Sequence, residues 1–128
     1  PDVCVIIYKK IYKLKRKHNM IKNIDLLNPL KKERIIKGLE FIQKQNEVES
    51  VIGAGIIFGS ALTNQCTEES DIDICLASKY DCRNNTFFYI YGGLSLIMDN
   101  ICDIVIYNKI KGKLKNEINK KGVVVYEY

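Results

Sequence analysis

Residues 71–76, Asp-Ile-Asp-Ile-Cys-Leu, place a charged or polar side chain and an apolar one in strict alternation over their first four positions. Only an extended strand resting on a core puts Asp71 and Asp73 on one side and Ile72 and Ile74 on the other. Two carboxylates on the same side of a strand repel one another and resist joint ionisation, so the pair makes physical sense with a divalent cation between them. Upstream, Val48 to Phe58 changes character from polar to apolar. Val51, Ile52, Ile56, Ile57 and Phe58, interrupted by Gly53 and Gly55, read as a buried strand that ends at Gly59-Ser60. Gly59 allows a phosphate to approach the backbone with no Cβ in the way, and Ser60 offers a hydroxyl and an amide. A D-x-D pair or a Gly-Ser pair alone says little. Strand, Gly-Ser, ten residues and then D-x-D opening a second strand is a far more restrictive arrangement.

Around this centre the chain reads as one domain. Its 128 residues, 47% hydrophobic and 27% charged, suit one modest core and exclude a disordered chain. Asn28-Pro29 is a helix start, because Asn caps free amides and Pro fits the first turn. Ile35, Ile36, Leu39 and Ile42 then give that helix an apolar stripe to about Gln45. Lys79 to Thr86 reads as a loop and Phe87 to Met98 as a helix, despite Gly92-Gly93. Ile101 to Tyr107 reads as a third strand, Lys113 to Lys120 as a short helix stopped by Gly122, and Val123 to Tyr126 as a last strand. Tyr89, Tyr91, Phe87 and Phe88 are expected in the core or on a partner-facing patch.

The net charge of +5 is unevenly distributed: residues 1–40 hold eleven Lys and Arg against four Asp and Glu. Val5 to Lys22 reads as a basic amphipathic helix, with Lys9 to Lys17 as a solvated face or a phosphate-attracting one and His18 as a surface residue. The division expected is a basic helical segment over 1–28 and a second unit over 29–128. Five cysteines, at 4, 66, 75, 82 and 102, form no C-x-x-C pair, which argues against a zinc site or a disulfide framework. Cys75 and Cys102 lie in apolar runs and suit a reducing cytoplasm. No signal peptide and no run of membrane-spanning length is expected.

The stretch FGSALTNQCTEESDIDICL resembles the G-S-x10-D-x-D signature of the polymerase-β-like nucleotidyltransferases, and the C-terminal LKNEINKKGVVVYE is similar to the way the minimal members end. The resemblance spans about residues 30–128. It implies an α+β fold, a small mixed sheet of about four strands with helices packed on one face and the site at exposed strand ends. It makes Gly59 and Ser60 the triphosphate-binding pair, and Asp71 and Asp73 ligands of Mg2+ in a two-metal site. It also implies a third carboxylate on a neighbouring strand, for which Asp103 is the natural candidate and Asp99 the competitor. ATP is the implied substrate. The implied partner is a HEPN-type toxin, which the minimal nucleotidyltransferase (MNT) antitoxins silence by adding AMP to a tyrosine. Ala61, Leu62 and Thr63 stand where active relatives commonly carry arginines, and Lys79, Arg83 and Lys109 are the candidate substitutes. Other readings are a binding module that neutralises a partner by contact, a small-molecule nucleotidyltransferase completed by a homo-oligomer, and a nucleic-acid binder.

Overall fold

The computed structural model describes residues 20–78, 85–99 and 101–128. The expected basic helix lies outside the described residues up to position 19. Of its described residues Met20 is helical and the last two are not: Ile21 bridges Tyr126 in antiparallel fashion, and the Lys22 amide donates to Val125 O at 2.8 Å.

Helix α1, Pro29–Val48, starts where Asn28 and Pro29 require. The Asn28 side chain accepts from the Leu30 amide, and Pro29 occupies the first turn. Ile35, Leu39 and Ile42 are fully buried, and Gly38 and Asn46 continue that stripe. The helix outruns the expected end at Gln45 because Asn46, only 3% exposed, finishes it. Its Oδ1 accepts from the amides of Val51 and Ile52, both at 3.0 Å. Its Nδ2 donates to Ile52 O at 2.8 Å and to the Tyr126 hydroxyl at 2.7 Å. A buried amide with all these partners satisfied fixes the turn that leads into the sheet.

Strands β1 (Ile52–Phe58), β2 (Ile72–Ser78), β3 (Cys102–Ile106) and β4 (Val123–Glu127) form one sheet in the order β3-β2-β1-β4. β1 runs antiparallel to β2 and β4, while β2 and β3 are parallel, so the sheet is mixed as expected. The parallel pair needs a crossover, which helix α2, Asn85–Ile97, provides. One face of the sheet is sealed under α1 and α2, where Ile57, Ile72, Ile74 and Leu76 join Ile35, Leu39, Ile90, Leu94 and Met98 in a continuous core. Gly93, awkward in a helix by propensity, is there for contact: a Cβ on it would overlap the Phe41 ring, and one on Gly38 would overlap Met98. Phe87 packs on the core, whereas Phe88, Tyr89, Tyr91 and Leu96 face outward.

Helix α3, Gly112–Lys121, is attached differently from the two longer helices. It buries Ile118, and Gly122 behind it sits against Ile56, whose side chain leaves the sheet on the face opposite Gly55 and Leu39. Tyr107, just past β3, donates its hydroxyl to Asn119 Oδ1 at 2.9 Å and lies under Lys115 Nζ, 4.6 Å from the ring centroid. The fold class is α+β, with the two long helices on one face and this short one on part of the other. Among the described residues no helix is long and apolar enough to cross a membrane.

Candidate functional site

β1 ends with Phe58 opposite Asp73, so the chain leaves the sheet beside that carboxylate. It leaves through Gly59 at φ +76°, a conformation that side chains disfavour. A Cβ at Gly59 would overlap Asp73 Oδ2 and stand 3.3 Å from its Cγ. Glycine is therefore required twice, by its backbone angle and by the carboxylate filling the space of its missing side chain. The chain then makes a single 3-10 turn, Gly59–Leu62, with Ala61 buried and Ser60 half-buried. Thr63 closes it by donating both its amide, at 2.9 Å, and its hydroxyl, at 3.0 Å, to Ser60 O.

The parallel register of β2 and β3 sets Asp73 directly beside Asp103. Asp103 is exposed, as is Asp71 just before the strand, while Asp73 is half-buried between them. Partial burial, followed by the charges of Asp103 and Asp71, raises the Asp73 carboxyl above its ordinary value of 3.8. The structure thus brings Gly59, Asp73 and Asp103 together, with Asp71 close enough for its charge to act on Asp73. Among the described residues no salt bridge joins a lysine or arginine to any of the three. Also among these residues, no group of three or more acidic, histidine or cysteine side chains is placed to hold a metal ion. The donors are all carboxylate oxygens, a set suited to a hard cation such as magnesium that retains other oxygen ligands.

Asp99 is not part of this group. It holds φ +53° at the end of α2 and accepts from Arg34 Nη2 at 2.9 Å, an ion pair tying that end to α1. Lys79 and Arg83 lie outside the described residues, and Lys109 follows β3 at the end away from Asp103. The two thiols on these strands are poor nucleophiles. Burial pushes Cys75 up to about 11, with Lys115 opposing, and Cys102 up to about 12, with the Asp103, Asp73 and Asp71 charges adding to it.

Two residues read from the sequence only as parts of a helix turn out to grip the connection between Gly-Ser and D-x-D. The Asn28 amide donates to Ala61 O at 2.7 Å and its Nδ2 to Thr63 O at 2.8 Å. Lys31, 2% exposed, donates its Nζ to Glu68 O at 2.7 Å. The Asn-Pro pair marks a helix start, but nothing local announces a partner 35 residues away.

The sequence model described as polymerase beta, nucleotidyltransferase, matches residues 37–128 and takes in every carboxylate above. The chain belongs to that nucleotidyltransferase family. Solved structures share the fold of this family member. A toxin–antitoxin crystal structure with AMP-PNP aligns at TM-score 0.55 and 20% identity, over 75% of this chain and 73% of the other. A tri-AMPylated Shewanella oneidensis HEPN toxin in complex with an MNT antitoxin aligns at 0.53 and 17%, over 74% and 73%. A mutant of the toxin–antitoxin pair MntA–HpeT, with two aspartates two positions apart changed to glutamate, aligns at 0.53 and 18%, over 75% and 72%. No curated protein matches this nucleotidyltransferase.

Proposed function

We propose that this chain transfers AMP from ATP to a hydroxyl of a protein partner, a tyrosine of a HEPN-type toxin, and acts as its antitoxin. The observation that carries the reading is the placement of Gly59 against Asp73 and of Asp73 beside Asp103. The tight turn that carries Ser60 meets a row of carboxylates there. The AMP-PNP and AMPylated toxin complexes of similar fold support the nucleotide and the acceptor. The mutant pair carries its changed aspartates at the spacing of Asp71 and Asp73.

In this reading Asp71, Asp73 and Asp103 would hold magnesium, which would supply charge neutralisation to the phosphates. Gly59 lets the backbone turn tightly against Asp73 and so sets Ser60 beside the triphosphate, where the Ser60 hydroxyl donates to a phosphate oxygen. Asp103, exposed at the edge of the row, accepts the proton of the attacking hydroxyl. The acceptor oxygen bonds to the α-phosphorus as the bond to pyrophosphate breaks, so the chain's part is alignment and a place for one proton.

The test is incubation with magnesium, ATP labelled at the α-phosphate and the candidate toxin, beside an Asp73→Asn control. Label on the toxin that disappears in the control is the expected result. Label that persists in the control removes these carboxylates from the reaction. A contact-only binding module is the second reading, favoured by the absence of a cation in the turn, where Ala61 is buried and Thr63 bonds back to Ser60. Magnesium-dependent ATP binding separates the two, since a protein that acts by covering its partner has no use for it.

A further inference from the structure

The connection from Ser60 to Asp71 joins the two halves of the site, and alone it would allow the turn many positions relative to the carboxylates. The first turn of α1 removes that freedom at both ends. Near Ser60, Asn28 holds Ala61 O through its amide at 2.7 Å and Thr63 O through Nδ2 at 2.8 Å. Near Asp71, the buried Lys31 ammonium holds Glu68 O at 2.7 Å. Burial of an ammonium is costly unless it is hydrogen-bonded, so Lys31 keeps this carbonyl close.

Asn28 performs two separable tasks with one side chain. Its Oδ1 accepts from the Leu30 amide at 3.0 Å and caps α1, while Nδ2 donates to Thr63 O. Asp or Ser would cap as well as Asn does. Of these three capping residues, only Asn carries an acceptor atom and a separate donor atom on the same side chain. Helix initiation therefore explains an Asn, Asp or Ser at this position, and the grip on the turn explains the Asn.

We infer that Asn28, with Lys31 as the second anchor, is a positioning residue for nucleotide binding that sets the Ser60 turn against Asp71 and Asp73. This role rests on the nucleotidyl-transfer reading of the site.

The experiment compares wild type with Asn28→Asp and Asn28→Gly, which both lack a side-chain donor at neutral pH and of which only the first is charged, by melting, by amide hydrogen exchange at residues 61–65 and by steady-state transfer. Melting should move by no more than about 2 °C, because Asp caps as well as Asn and Gly only slightly less well. Losing one hydrogen bond should speed exchange at 61–65 about tenfold and raise KM for ATP about tenfold, with kcat held within about twofold. Lys31→Met should show the same KM effect. Unchanged exchange and KM in both Asn28 variants overturns the role. A defect in the Asp variant alone also overturns it, since charge and not the lost donor would then be the cause. A fall in kcat together with melting temperature makes Asn28 merely structural and overturns it too. Wild-type protein that neither binds nor uses ATP, while exchange at 61–65 still responds to the variants, overturns the nucleotide reading and this role with it. The exchange data distinguish that outcome from failure of the grip.

Discussion

The two faces of β2 do opposite things to the protein. Ile72, Ile74 and Leu76 are completely buried under α1 and α2, and each contributes on the order of 1.5–3 kcal/mol through burial. On the other face Asp73 stands half-buried between two further carboxylates, in a setting that resists its ionisation. Its carboxyl is raised in the folded state. Its contribution to stability is thus fully present below the ordinary value of 3.8 and is lost as pH rises through the raised value. At neutral pH, without a cation, the sealed face holds the fold together and the carboxylate end of the other strains it. Adjacent residues of a single strand can serve both ends because alternation keeps them apart.

That contrast can be broken from either side. Changing Asp73 to Asn should reduce transfer by about a thousandfold or more while leaving the fold at least as stable in divalent-free buffer, measured by label incorporation and melting. A variant that lost activity through unfolding would remove the distinction between the faces. Leu39→Ala, on the sealed side, should cost about 3 kcal/mol in urea unfolding. Its remaining folded molecules should transfer at the wild-type rate. A smaller effect is expected from pH: chelator-treated wild type should lose stability as pH rises above about 4, and Asp73→Asn should lose less. Equal slopes would mean that Asp73 is not the group responsible. The smallest effect belongs to Gly92, where an added Cβ meets nothing within 4 Å. Gly92→Ala should stabilise α2 by about 0.5–1 kcal/mol in the same unfolding assay, with transfer unchanged.

Much of this was legible in the sequence because the signals are local. The alternation at 71–76 placed β2 and its two faces, Asn28-Pro29 placed the start of α1, and Gly59-Ser60 marked the end of β1. What escaped depends on partners far along the chain. The last turn of α1 exists because Asn46 finds Tyr126 eighty residues later. Ile21 and Lys22 are extended because β4 is there to receive them, which no helical periodicity reveals. Gly93 reads as a flaw until Phe41 is placed against it. The sequence already favours Asp103 over Asp99, and sheet pairing sets it beside Asp73 while Arg34 takes Asp99. The second task of Asn28 was hidden by the first, since a residue already explained as a cap invites no further question.

The parallel pairing of β2 with β3 also imposes an order on the life of the chain. Gly59 follows β1 and Asp73 lies on β2, the antiparallel neighbour of β1, so the two can meet as soon as β2 has been made. Asp103 reaches them only after α2 has been synthesised and has carried the chain back across the sheet. A growing chain on the ribosome therefore holds the Gly59 turn and two of the three carboxylates well before it holds the third.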